Sequence, residues 1–158
     1  STPIKSSAAS DVYKRQSLKN ANITCLDYSM DMLEQAERRF NGYAHIKCIQ
    51  GDVGNLQMDD ESFDIVLSMN GFHAFPDKKK AFQETWRVLK SGGTFIACFY
   101  VKGKSKITDW LVKNVLAKKG WFSPPFQTEE ELRAILQTLY FQFQFLITCS
   151  CVFIPLYI

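Results

Sequence analysis

The stretch Ile23-Thr24-Cys25-Leu26-Asp27-Tyr28-Ser29 is a short β-branched apolar run that stops on a carboxylate. A strand is its natural reading, since apolar residues of this length suit a pleated, buried element and the acid marks its end. Working outward, His45 to Gln50 is a second such run, cut off by Gly51-Asp52-Val53. Phe63 to Met69 is a third, nearly continuous in its apolar character, as expected of a parallel strand covered on both faces. Arg87-Val88-Leu89-Lys90-Ser91-Gly92-Gly93 leads into a fourth, Thr94 to Val101.

Helical periodicity fills the intervals. Met30, Met32-Leu33, Ala36-Glu37 and Phe40 recur at helical spacing before Asn41-Gly42, with Ser29 as the expected cap. Pro76-Asp77 opens a helix whose apolar stripe is Ala81-Phe82, Thr85-Trp86 and Val88-Leu89, and Ser91-Gly92-Gly93 is read as its end. Strand, helix and strand joined by short connections predict βαβ crossovers. The fold class is therefore α/β: a Rossmann-like, doubly wound, mostly parallel sheet with helices on both faces. The strand and glycine-rich turn that usually open such a sheet have no counterpart here.

Further on, Ile107 to Lys119 is expected to be an amphipathic helix with Trp110, Leu111, Val115 and Leu116 inward, ended by Gly120. Pro124-Pro125 marks a surface loop, and Thr128-Glu129-Glu130-Glu131 starts a helix as a capping box. Leu139 to Ile158 carries no charge and is long enough to suggest a membrane span. The alternation Phe141-Gln142-Phe143-Gln144-Phe145 favours a strand instead, so no span is expected. Residues 127–158 thus read as a C-terminal helix and strands, with a frame error near the end as the open alternative, because no turn residue precedes Thr148.

The amino terminus has a different character. Asp11 to Gln16 back-translates to GATGTGTATAAGAGACAG, which looks like the transposon-end adaptor of sequencing libraries. Residues 1–16 are accordingly expected to be adaptor-derived and disordered, and 17–158 to be a partial domain whose true start lies upstream. Lys5, Lys14, Arg15 and Asp11 supply two of the three net positive charges. The remainder is close to neutral, which gives no encouragement to nucleic-acid binding. Lys78-Lys79-Lys80 and Lys102, Lys104 and Lys106 are read as solvated helix starts rather than phosphate-binding patches. Cys25, Cys48, Cys98, Cys149 and Cys151 lack paired metal-ligand spacing, so no metal site is expected. Their odd number and apolar surroundings suggest small buried side chains in a reducing cytoplasm.

In a doubly wound sheet, ligands lie across the carboxyl ends of the strands. Asp27, after the sheet's second strand, is placed to chelate the two hydroxyls of a ribose, or else to cap the helix beginning near Met30. Asp52 is placed to accept from an exocyclic amine of adenine while Val53 N–H donates to a ring nitrogen, or else to close an ordinary turn.

With these pieces in this order, the chain resembles the class I S-adenosylmethionine-dependent methyltransferases, in particular the small-molecule branch that includes the ubiquinone and menaquinone methylases. The resemblance runs from Ile23 to about Leu132 and rests on Leu26 to Leu33, Gln50 to Val53, Phe63 to Ser68 and Arg87 to Gly93. It implies methyl transfer from S-adenosylmethionine to a small-molecule acceptor. Asp27 would then bind the ribose, Tyr28 would lie near the adenine, Asp52 and Val53 would read its edge, and Asn70 would lie near the methionine part. Asp64 is read as structural. A catalytic group, if one exists, is His73 in Asn70-Gly71-Phe72-His73-Ala74-Phe75-Pro76, whose ordinary pKa suits a general base; a loop histidine bonded to backbone is the plainer reading. Because the family's first strand sits at mid-sheet, a protein of this sequence alone is expected to fold poorly, bind cofactor weakly and be inactive. Phe99, Tyr100, Trp110, Trp121 and Phe122 are candidates for an apolar acceptor pocket. The competing functions are an NAD(P)-dependent oxidoreductase, which also uses an acid after the second strand, and a non-catalytic Rossmann-like binding domain.

Overall fold

The computed structural model describes residues 21–69, 71–139, 146–148 and 151–157. The expectations for residues 1–16, for Asn70, for Cys149 and for the Phe141–Phe145 alternation lie outside the described residues. The chain divides into two units, one ending at Gly51 and one beginning at Asp52.

Within the described residues, the first unit is a single βαβ crossover. Strand β1 (Ile23–Asp27) and strand β2 (Ile46–Gln50) are parallel, in register from Ile23 opposite Ile46 to Asp27 opposite Gln50. Helix α1 (Met30–Phe40) joins them and buries Leu33, leaving Met30 and Met32 exposed. Ser29 occupies the cap position with extended backbone, yet its side chain makes no capping bond; the helix instead begins with Leu33 N–H donating to Ser29 O. Gly51 N–H donates to Asp27 O at 3.1 Å, and a Cβ on Gly51 would lie 2.8 Å from Leu26 Cδ1. A larger residue there would have to push aside the end of the Leu26 side chain. Cys25 and Cys48 are cross-strand partners, both free and half-buried, and burial together with the neighbouring sulfur pushes the Cys25 thiol pKa up.

The second unit is a four-stranded sheet in the order β3-β4-β6-β5. Strands β3 (Phe63–Met69) and β4 (Leu89–Tyr100) are parallel. Strand β6 (Cys151–Tyr157) runs antiparallel to β4, and β5 (Leu146–Thr148) antiparallel to β6. Helix α2 (Lys78–Val88) is capped by Asp77, whose Oδ1 accepts Lys80 N–H at 2.9 Å. It ends at Val88 rather than at Ser91, and the chain enters β4 at Leu89. Ser91-Gly92-Gly93 is not a helix stop but an irregularity within β4, where the pairing steps from Phe63–Leu89 to Ile65–Thr94. Gly92 has φ +80°, and a Cβ on Gly93 would meet Lys90 O at 2.8 Å, so both positions require glycine.

The core lies on one face of this sheet. Phe95, Ala97 and Phe99 of β4 meet Ala81 and Phe82 of α2 and Leu132 and Leu136 of helix α4 (Glu129–Leu139). Phe72, just past β3, is 1% exposed and joins the same cluster. On β3, Ile65, Leu67 and Met69 stand exposed, so the expectation of cover on both faces is not met within this unit. The start of α4 is the expected capping box: Glu131 N–H donates to Thr128 Oγ1, and Thr128 N–H donates to Glu131 Oε2 at 2.9 Å. Thr128→Ala is expected to lower stability by about 1 kcal/mol, read as a reduced urea midpoint with unchanged slope.

Helix α3 (Lys106–Leu111) continues into a π-helical turn, Val112–Leu116. Its orientation corrects the sequence reading. Val112 is buried, while Trp110 and Leu111 face outward. The cause is Asp109, whose carboxylate accepts from Tyr100 Oη at 2.5 Å and from Gly103 N–H at 3.0 Å, turning the Asp109–Val112 side inward. Among the described residues, no helix is long and apolar enough to cross a membrane.

Candidate functional site

Two of the sequence-derived site residues, Asp27 and Tyr28, lie in the first unit; Asp52, Val53 and His73 lie in the second, and Asn70 is outside the described residues. Asp27 is the last residue of β1 and half-buried. Its Oδ1 accepts Ser29 N–H at 2.9 Å, a turn closed two residues on rather than a helix cap. That bond fixes the carboxylate and leaves Oδ2 available at the strand tip. Tyr28 is 78% exposed, and Gln50 Nε2 donates to its carbonyl at 3.1 Å, tying the tips of β1 and β2 together.

Asp52 opens the second unit in the same manner: its Oδ1 accepts Gly54 N–H at 2.8 Å, and its carbonyl accepts Asn55 N–H at 3.0 Å. This is the turn geometry expected of Gly-Asp, and again one carboxylate oxygen is held while the side chain stays exposed. Val53 packs its side chain against the Phe72–Phe95 core.

His73 sits in the loop between β3 and α2. Its ring stacks on Phe122 with centroids 4.0 Å apart and planes at 17°, and Tyr100 meets the same Phe122 edge-on at 5.8 Å. Of the expected aromatic pocket, Tyr100 and Phe122 gather here, Phe99 is in the core, and Trp110 and Trp121 point to solvent. Main-chain bonds secure the loop. Ser123 N–H donates to His73 O at 2.9 Å and Ser123 Oγ donates to Ala74 O at 2.8 Å. Gly71 allows a close approach, since a Cβ there would lie 2.8 Å from Phe75 Cζ.

Lys78 completes this arrangement and corrects the reading of the lysine run as wholly solvated. It is 6% exposed and donates to Phe75 O at 3.2 Å and Ser123 O at 2.5 Å, whereas Lys79 and Lys80 are exposed. Burial holds its ammonium pKa below the ordinary value. His73 is held below the usual imidazole value of 6.5 by burial first and by the Lys78 charge second. Its Nδ1 is buried with no hydrogen-bond partner among the described residues.

Arg87 and Asp64, by contrast, are structural. Arg87 donates to Leu56 O, Met58 O, Glu84 and Asp60, along an open surface groove. Asp64 pairs with Lys90 at 2.9 Å, which lowers its carboxyl pKa.

The methyltransferase domain family matches residues 6–97, more than half of the chain. The chain belongs to this family. The match of this methyltransferase-family chain takes in Asp27, Asp52 and His73, and it begins upstream of Ser17, inside the stretch read as adaptor. Demethylmenaquinone methyltransferase of Staphylococcus epidermidis is 39% identical over 74 residues, which cover 47% of this chain and 31% of that protein. The chain spans about a third of the length of the curated relatives it matches. Among solved structures, the YcgJ protein of Bacillus subtilis superposes with a TM-score of 0.69 at 20% identity, covering 85% of this chain and 59% of its own. A SAM-dependent methyltransferase of Thermotoga maritima gives 0.68 at 22%, covering 85% and 72%. These likenesses establish the Rossmann-like α/β fold. Membership of the methyltransferase domain family leaves the oxidoreductase alternative without support.

Proposed function

We propose that the protein to which this chain belongs transfers a methyl group from S-adenosylmethionine to a small-molecule acceptor, with Asp27 holding the ribose hydroxyls. The observation that carries this reading is the Asp27 carboxylate: it ends a parallel strand, one oxygen is fixed by Ser29 N–H, and the other is left for a ligand. Such a group suits a diol, because a preoriented anion accepts two hydroxyl protons without first losing side-chain entropy. Exposed Tyr28 beside it suits an adenine face. Asp52, likewise held through one oxygen, and the Val53 amide are assigned to the adenine edge, and Asn70 to the methionine portion.

When bound, the cofactor supplies an electrophilic methyl on a sulfonium. The chain's own part is then to bind, orient and exclude water, with His73 taking a proton from the acceptor. The acceptor is a small molecule, in keeping with the relative that acts on demethylmenaquinone. A cytoplasmic location fits this reading.

Asp27→Ala tests it in the protein extended to the length of its relatives. Calorimetric titration with S-adenosylmethionine is expected to show affinity reduced by about 10- to 100-fold, the worth of a charge-assisted hydrogen-bond pair. Unchanged affinity would remove Asp27 from the site.

A further inference from the structure

Helix α3 and the loop after it present a surface that the methyl-transfer reading does not use. Ile107, Trp110 and Leu111 are 81%, 63% and 40% exposed, and their i, i+3, i+4 spacing puts them on one helical face. Trp121, 59% exposed, follows at the end of the same segment, and its N–H donates to Leu116 O at 3.1 Å. Four large apolar side chains in solvent within fifteen residues, two of them tryptophan, are more than scattered exposure. The opposite side of the helix is fastened to the sheet through Asp109 and buried Val112, so the outward face is fixed rather than frayed.

Charge says what covers it. From Lys102 to Lys119 the segment carries six lysines, all exposed, and one carboxylate, Asp109, which is turned inward. Lys104 pairs with Glu129, and Lys119 Nζ lies 5.1 Å from the centroid of the Trp121 ring. A protein partner fits poorly, because interface cores are depleted in lysine. A second copy fits poorly too, since a two-fold contact sets like charges against each other. An apolar face with tryptophans and a lysine surround matches the interface of an anionic bilayer, where the rings lie at headgroup depth and the ammonium groups meet phosphates.

We propose that Ile107, Trp110, Leu111 and Trp121, flanked by Lys106, Lys113 and Lys118, dock this protein peripherally on an anionic phospholipid surface. The inference is independent of the cofactor assignment, and its test involves no methyl transfer. The full chain is floated with vesicles of phosphatidylcholine alone or of equal parts phosphatidylcholine and phosphatidylglycerol. Binding to the anionic vesicles is expected to be at least about tenfold tighter and to weaken as salt is raised. Trp110→Ser, at a residue that is 63% exposed, should cost about tenfold with the far-ultraviolet spectrum unchanged. Brominated lipid should quench Trp110 emission in a Trp86→Phe, Trp121→Phe background, where Trp110 is the one remaining tryptophan. Equal binding to both vesicles, or Trp110→Ser binding as well as the unchanged chain, overturns the proposal. So does a concentration-dependent dimer that Trp110→Ser abolishes, which would assign the face to a second copy.

Discussion

Phe72→Ala, made in the protein extended to the length of its relatives, is expected to lower the unfolding free energy by about 3–5 kcal/mol, measured by urea denaturation. Phe72 is 1% exposed and stands at the meeting point of four other rings. Its centroid lies 4.3 Å from Phe82, 5.1 Å from Phe75, 5.5 Å from Phe99 and 5.6 Å from Phe95. Truncation removes the transfer energy of the ring, the pairwise aromatic contacts and the packing of every neighbour that cannot collapse inward. Three of the four, Phe82, Phe95 and Phe99, come from α2 and β4, whose backbones are held by their own hydrogen bonds, so relaxation is limited and the cost belongs at the upper end of the range. Against a total stability of about 5–15 kcal/mol for a domain, this loss is a large fraction. Met69→Ala, 54% exposed on β3, is the matched control and should change stability by no more than about 0.5 kcal/mol. A Phe72→Ala loss as small as the control's would show that the ring is not the hub its distances indicate.

Phe72 also shows what a sequence conceals. Strands β1, β2 and β3, the helix start at Pro76-Asp77 and the Thr128–Glu131 box were legible because each depends on residues within a few positions of one another. The acids Asp27 and Asp52 were legible for the same reason: a strand end followed by a carboxylate is a local pattern. Phe72 falls in a loop, where no periodicity marks a core residue, and only the return of β4 and α2 reveals its neighbours. Lys78 is a stronger case, since the carbonyl it bonds on Ser123 is 45 residues away and nothing in a lysine triplet tells which member is buried. The outward turn of Trp110 was hidden in another way. Helical spacing shows that Trp110 and Leu111 share a face, but which face meets the sheet is set by Asp109 and Tyr100. Periodicity fixes relative positions on an element; long-range polar anchors fix its rotation.

His73→Ala is expected to reduce turnover by at least about tenfold in the protein extended to the length of its relatives, followed by release of S-adenosylhomocysteine. The loop geometry allows a sharper comparison than alanine alone. His73→Phe keeps an aromatic ring against Phe122, and with it the stack at 4.0 Å, but has no nitrogen to accept a proton. A base requires both variants to lose turnover alike while cofactor affinity stays unchanged. A packing role requires His73→Phe to retain it. The pH profile adds an independent sign. Burial and the Lys78 charge lower the His73 pKa, which favours the neutral imidazole that can accept a proton. Turnover limited by this group should show an acidic limb centred below the ordinary imidazole value, and that limb should vanish in His73→Phe. Stability follows the same direction. The unfolded chain takes up a proton near 6.5 and the folded chain only at lower pH, so acidification through that window favours unfolding, and the penalty stops growing once the folded histidine is itself protonated. A turnover profile whose acidic limb survives in His73→Phe would place the titrating base elsewhere, and the unpartnered Nδ1 would then be a packing consequence of the Phe122 stack.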